Sequence, residues 1–269
     1  MRLFAIRDEN RDPRDLLGYL IYYEKPKAFY IELPDNADPW ETPLLLSSFA
    51  KKGQYSINSY WSLQWVRERI VPPDRQNISR ILYENNLPEY DEFSLLMLAM
   101  GRCEQDDYYL EEIRDVPELL LRRWQYRIED VVPLENNRLL AFFRNGDVRI
   151  TDIVPLSEKI PAMAPFLRNP DLFSRVEVQP DGYGVIWNEE AALSDRELYE
   201  HGTPVPLTIQ DFMSFIRSRV ISTSEACELL DCSRQNISDL IRRGKLHPVR
   251  ADAKSKLFLR NEVLQRKKV

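Results

Sequence analysis

Between Ile221 and Val249 the chain carries two helix starts and two helix stops in quick succession, and this stretch limits the possible folds more than any other. Ser222 and Glu225 have capping-box spacing, in which each side chain satisfies a free amide at the start of a helix. Ala226, Leu229 and Leu230 then fall on one face at helical spacing. Asp231-Cys232 leaves room only for a tight connection, after which Ser233 is placed to cap a second helix. Ile237, Leu240 and Ile241 form the inner face of that helix. Arg234, Gln235, Asn236, Ser238, Asp239, Arg242 and Arg243 face outward. Gly244 ends it, as the residue just past a helix commonly does. Two short helices with a small residue at their crossing predict a helix-turn-helix, whose second helix can enter the major groove.

The outward residues have chemistry to match. Arginine pairs bidentately with guanine, asparagine and glutamine pair with adenine, and serine bonds either a base or a phosphate. Downstream, Lys245 to Arg250 reads as extended, Ala251 to Ser255 as a polar loop, and Lys256 to Leu259 as a return strand. Arg260 to Leu264 begins a closing helix. A hairpin tipped by Lys254 and Lys256 is a wing that can meet phosphates. The candidate DNA-contacting set is therefore Ser233, Arg234, Gln235, Asn236, Ser238, Arg242, Arg243, Lys245, Arg250, Lys254 and Lys256, and the expected partner is double-stranded DNA.

Charge is distributed to suit. The net charge is −6, yet residues 217–269 hold 13 Lys/Arg against 6 Asp/Glu, while the remainder holds 24 against 37. A basic tail on an acidic body is the asymmetry that a DNA-binding appendage produces.

Residues 220–266 resemble the MerR/excisionase-type winged helix-turn-helix. The matching positions are Ser222 to Leu230, with Cys227 where the family usually has alanine, then Ser233 to Arg250 and Arg260 to Val263. The resemblance implies a recognition helix from Ser233 and a wing after Arg250. The effector-sensing cysteines and long dimerisation helix of true MerR regulators are missing, so metal sensing is not implied.

Two earlier segments complete an expected α+β multidomain chain: a mixed domain at 1–115, a small antiparallel α+β domain at 116–205, and the winged helix-turn-helix at 206–269. In the first, Ala28 to Leu33 alternates as a strand and ends at Pro34-Asp35. Pro73 to Arg102 reads as two helices, the first capped by Asp74 with Ile78, Ile81 and Leu82 on one face, broken by Leu87-Pro88. Glu104 to Glu112 reads as a solvated acidic stretch. In the second, Arg138 to Ile153 reads as a hairpin turning at Asn145-Gly146, where positive φ is needed. Phe173 to Val178 and Tyr183 to Trp187 read as strands flanking a Pro180-Asp181-Gly182 turn. A short helix is expected near Ala162 to Leu167. Phe173 and Trp187 read as core.

The middle segment resembles domain of unknown function 2442, through Val131 to Leu134, Leu139 to Asp152, Phe173 to Val176, Trp187 and Leu198-Tyr199. That resemblance implies a small sheet with one or two helices. The first hundred residues resemble the N-terminal subdomain of HipA-type toxins, through Leu17 to Leu20, Ala28 to Leu33 and Tyr90 to Gly101. No kinase core follows, so the resemblance implies a toxin–antitoxin or phage-defence neighbourhood and no kinase activity. Arg-Gln-Asn-Ile-Ser occurs at both 75–79 and 234–238, an echo that raises a second helix-turn-helix as a possibility.

Other classes are disfavoured. No apolar run approaches the ~18 residues of a membrane span, and the N-terminus lacks a signal-peptide core. Cys103, Cys227 and Cys232 show no CxxC spacing, which suits a reducing cytoplasm. His201 and His247 alone make no zinc site, and Asp106-Asp107 reads as solvated surface, so no metal or cofactor is expected. Without a phosphate cradle or nucleophile elbow, the chain reads as a binder and not an enzyme. The expected function is sequence-specific transcription regulation, as a homodimer or with a partner protein held by the body. The alternative is an adaptor whose acidic body holds that partner while the tail tethers it to DNA.

Overall fold

A computed structural model describes every residue except 13, 14, 159, 189, 253, 254, 268 and 269. The chain is α+β throughout and divides into two compact units. One comprises 1–145 with 149–203, the other 146–148 with 204–269.

The first unit opens on strands β1 (Arg2–Asp8), β2 (Gly18–Tyr23) and β3 (Ala28–Glu32). Helix α1 (Leu44–Lys51), strand β4 (Ser56–Ile57) and helices α2 (Ser59–Arg67), α3 (Ile78–Glu84) and α4 (Glu92–Leu98) follow. Strand β5 (Tyr108–Ile113) returns beside β1, giving an antiparallel sheet in the order β4-β3-β2-β1-β5. The acidic stretch expected to be a solvated segment is partly this edge strand. Leu110 is buried, while Glu111 and Glu112 reach across to Arg7 and Arg2, each at 2.7 Å.

The expected alternation of β3 also gives way. Phe29 and Ile31 enter one core with Trp65, Val66, Leu95 and Leu96, while Tyr30 enters a second core with Leu120 and Tyr183. Both faces of the strand are therefore covered, and Glu32 is fully buried. The two expected helices at 73–102 form, with different caps. Asp91 caps α4 by accepting from the Ser94 amide at 2.9 Å, and α3 starts from Asn77 without a side-chain cap, so Asp74 does not serve.

After helix α5 (Glu118–Trp124), strands β6 (Ile128–Leu134), β7 (Arg138–Phe143) and β8 (Val148–Asp152) build an antiparallel sheet. Asn136 and Asn137 both take positive φ in the three-residue loop between β6 and β7. In the β7–β8 turn only Gly146 does, so the backbone conformation expected of Asn145-Gly146 is shared differently. Helices α6 (Val154–Ser157), α7 (Ala164–Arg168) and α8 (Pro170–Phe173) come next. Phe173 thus ends a helix, and β9 is only Glu177–Val178, because Asn169 and Pro170 together start a helical turn. Strands β10 (Gly184–Asn188) and β11 (Ala191–Ser194) join β9 in a three-stranded sheet. Helix α9 (Asp195–His201) and strand β12 (Thr203–Pro204) close the segment, β12 being an edge of the β6–β8 sheet.

The sequence change near residue 115 lies inside this unit, and a buried ion cluster bridges it. Arg127, 1 % exposed, donates from Nη1 to Asp195 Oδ2 at 2.6 Å and from Nη2 to Glu32, while its Cζ sits 3.3 Å from the Tyr183 ring centroid. Glu32 also accepts from Arg123 at 2.6 Å and from the Ser56 hydroxyl at 2.7 Å. Burial lifts the Asp195 carboxyl to about 6, with the Arg127 charge opposing that rise. Removing one partner from such a cluster leaves buried charge uncompensated and typically costs about 3–5 kcal/mol. Arg127→Ala is expected to destabilise the first unit by about that amount, measured by denaturant unfolding. All five tryptophans lie at residues 40, 61, 65, 124 and 187, so their fluorescence reports this unit alone.

Candidate nucleic-acid interface

The second unit contains α10 (Ile209–Arg219), β13 (Val220–Ser222), α11 (Thr223–Leu230), α12 (Arg234–Arg242), β14 (Arg250–Ala251), β15 (Lys256–Leu259) and α13 (Arg260–Lys267). Its core is small: Ile221, Ala226, Ile237, Leu246, Phe258 and Val263. Ala226 is fully buried, and Leu229, Leu230, Leu240 and Ile241 close around the core as their spacing predicts.

The local chemistry sets both helix starts. The Ser222 hydroxyl accepts from the Glu225 amide at 3.3 Å, and the Glu225 carboxylate accepts from the Ser222 amide and hydroxyl at 2.8 Å each. Those two bonds hold the Glu225 carboxyl below its ordinary range. Ser233 caps α12, its hydroxyl accepting from the Asn236 amide at 3.3 Å. Between the helices stand Asp231, Cys232 and Ser233, and Asp231 takes the left-handed conformation (φ 52°, ψ 51°). Gly244 does the same after α12 (φ 63°), as its place past the helix predicts.

Strands β13, β15 and β14 form an antiparallel sheet in that order. Arg250 and Ala251 pair with Leu257 and Lys256, so a hairpin stands where the wing is expected. The extended segment expected from Lys245 is shorter: the strand is Arg250–Ala251, preceded by the Val249 amide donating to the Leu257 carbonyl at 2.9 Å. Two contacts that the sequence did not single out fasten this hairpin. Thr223 Oγ1 donates to the Lys256 carbonyl at 3.2 Å, and Glu262 accepts from the His247 amide at 3.0 Å. Glu262 also lies 3.0 Å from His247 Nδ1.

The candidate residues divide by what already engages them. Ser233 uses its hydroxyl as a cap acceptor, and Ser238 donates its own to the Arg234 carbonyl at 3.1 Å. Arg234 donates to the Ser224 hydroxyl on α11 at 2.9 Å, a partner that only the tertiary fold brings near. Arg242 pairs with Asp239 at 2.7 Å on the exposed surface. Gln235, Asn236, Arg243, Lys245 and Arg250 are exposed, and their side chains make no hydrogen bond or ion pair among the described residues. Lys256 is half-buried at the start of β15, within the hairpin, and Lys254 lies outside the described residues. Ile237, directly after Asn236, is 1 % exposed. The first turn of α12 is therefore anchored inward while its polar groups point to solvent.

The echo at 75–79 has none of this geometry. Helix α3 begins only at Ile78, so Arg75, Gln76 and Asn77 precede it, and ten residues separate it from α2. At 234–236 the same three residues form the first turn of a capped helix.

Residues 220–268 match the family described as a helix-turn-helix domain. The C-terminal segment is a helix-turn-helix domain. Among the solved structures, a Nitrosomonas europaea protein provisionally described as DNA-binding is similar, at 24% identity over 46% of this chain and 79% of that one. Its TM-score of 0.26 is too low to carry an argument about the fold. No curated protein matches this chain.

Elsewhere in the acidic stretch, Asp106 binds Arg69, and Asp107 accepts from Asn10 at 2.7 Å. Cys103 donates its thiol hydrogen to Asp106 at 3.6 Å. Among the described residues no group of three or more His, Cys, Asp or Glu could hold a metal ion, and no helix is long and apolar enough to cross a membrane.

Losing a serine cap costs about 1 kcal/mol, so Ser222→Ala should destabilise the helix-turn-helix domain by that amount in thermal unfolding followed by circular dichroism. The lowered Glu225 carboxyl adds a pH signature. Its contribution is complete above the ordinary glutamate range and is lost as pH falls through the lowered value. Glu225→Gln should flatten that acid limb.

Proposed function

We propose that the protein is a sequence-specific DNA-binding transcription regulator whose helix-turn-helix domain places α12 in the major groove. One observation carries this reading: the first turn of α12 presents Gln235 and Asn236 to solvent without other partners, on a helix anchored through Ile237. Amide side chains at an exposed helix N-terminus fit the donor–acceptor edge of adenine, and Arg234 beside them fits guanine. The Ser224 bond orients the Arg234 guanidinium before any DNA arrives and leaves other guanidinium hydrogens to donate. Arg243, Lys245, Arg250 and Lys256, with Lys254, supply phosphate contacts from the helix end and the hairpin, which acts as a wing.

A second copy of the chain extends recognition to a two-half-site operator, with half-sites about 10 base pairs apart. The body sets that assembly and does not contact DNA, consistent with its negative charge. We read the body as a binder without catalytic activity, because Glu112, Glu111 and Asp106 of its acidic stretch are engaged by Arg2, Arg7 and Arg69. The likeness of the first hundred residues to HipA-type subdomains suggests a toxin–antitoxin or defence locus as the setting.

An adaptor role has one observation in its favour. Trp40 is 86 % and Leu44 91 % exposed on the body, apolar groups that a partner protein would cover. An adaptor would bind DNA weakly by itself and co-purify with a second protein.

Arg234→Ala or Asn236→Ala should each cost about 1–3 kcal/mol at the preferred site and relax base preference there, measured by binding to a randomised duplex library. Unchanged affinity and preference in both variants would remove α12 from the recognition role. Arg250→Ala and Lys256→Ala should weaken all duplexes alike, and each should lower the salt slope by about one, the share of a single neutralised phosphate.

A further inference from the structure

The turn between the two helices holds a feature that DNA recognition does not require. Helix α11 ends with the Cys232 amide donating to the Cys227 carbonyl at 3.1 Å and the Asp231 amide donating to the Glu228 carbonyl at 3.3 Å. With Asp231 left-handed, these two bonds make a Schellman motif, in which the side chains of the first and last residues meet. Here those two residues are the cysteines. Both thiols are free and half-buried, and both pack against the core formed by Ile221, Ala226, Ile237, Leu246, Phe258 and Val263. Burial first, then the neighbouring Cys227 thiol and Asp231, push the Cys232 thiol above its ordinary value. The third cysteine, Cys103, belongs to the other unit.

We propose that Cys227 and Cys232 are a reversible dithiol–disulfide pair that clamps the junction of the helix-turn-helix. The oxidant is a small-molecule disulfide. One thiolate of the pair attacks a sulfur of that disulfide, breaking its S–S bond and releasing one thiol. The second protein thiol then gives up its proton and attacks the mixed disulfide at the protein sulfur. The Cys227–Cys232 bond forms and the second small thiol leaves. Two electrons pass from the protein pair to the oxidant, and the two protein thiol protons end on the two released thiols.

The backbone bond between residues 227 and 232 already holds the two main chains side by side, so the bridge closes without unwinding α11. Once closed, it fixes the last turn of α11 to the residue before Ser233, which caps α12. It also holds Asp231 in a conformation that a residue with a Cβ adopts reluctantly. The raised Cys232 thiol makes the pair slow to react near neutral pH and faster as pH rises.

Neither the pair nor its test depends on DNA binding. Full-length reduced protein would be titrated with oxidised glutathione, alkylated and digested with trypsin. One peptide, 220–234, contains both cysteines. The expected result is that this peptide becomes unalkylated and two hydrogens lighter, and doubly alkylated again after reduction, while Cys103 stays alkylated. Hydrogen exchange on the intact chain should slow several-fold at the Asp231 and Cys232 amides in the oxidised form. Cys232→Ser should abolish both effects, and Cys227→Ala serves equally if that variant folds poorly. Persistent glutathione adducts on either cysteine, chain-to-chain disulfides, or a bridge that leaves exchange unchanged would each overturn the proposal.

Discussion

The guanidinium of Arg127 lies between Glu32 and Asp195, and the arrangement of the first unit depends on that placement. Glu32 comes from β3 and Asp195 from the start of α9, far apart in the chain. Each carboxylate needs a cation once it is out of water, and Arg127 faces both. Tyr183 stacks on Tyr30 at 3.7 Å between ring centroids and covers Arg127, so the charges are closed off by aromatic rings. The cluster fixes which face of the N-terminal sheet the middle segment covers. It makes one body of what the sequence presents as two regions.

The helix-turn-helix domain is organised on a smaller scale. Six buried residues form its core, so its precision rests on hydrogen-bonded helix ends. Ser222 and Ser233 start the two helices, and left-handed Asp231 and Gly244 end them. These local devices fix the lengths of α11 and α12 and keep the polar turn at 234–236 in solvent. Ser224 then orients Arg234 across the helix pair. The first turn of α12 is thus anchored at its base by buried Ile237, while Gln235 and Asn236 stay exposed.

The legible parts of the fold were those that local chemistry decides. The Ser222–Glu225 capping box, the Ser233 cap, the 3.6-residue spacing of Ala226, Leu229 and Leu230, and Gly244 all act within a few residues of themselves. The misread parts turn on distant partners. Ala28 to Leu33 suggested a half-exposed strand, but tertiary packing buries both of its faces. Glu111 and Glu112 are exposed as expected, but their arginine partners on β1 lie about a hundred residues away, so the edge strand that carries them was not legible. Arg75 to Ser79 copies the start of α12 residue for residue, yet helix α3 begins only at Ile78. Here the cause is local: Pro72-Pro73 precede it and Asn77 within it makes no side-chain cap, where Ser233 precedes and caps the other copy.

By itself, the sequence determined the helix-turn-helix, its caps, the exposed polar face of α12 and the charge contrast between tail and body. Each of these follows from spacing, propensity or composition. Tertiary structure alone decided that residues on both sides of position 115 share a buried ion cluster. It also decided that Arg234 is held by Ser224. The physical reason is the same in each case. Burial and pairing of polar groups depend on which surfaces come together, and a linear pattern states only what each surface offers.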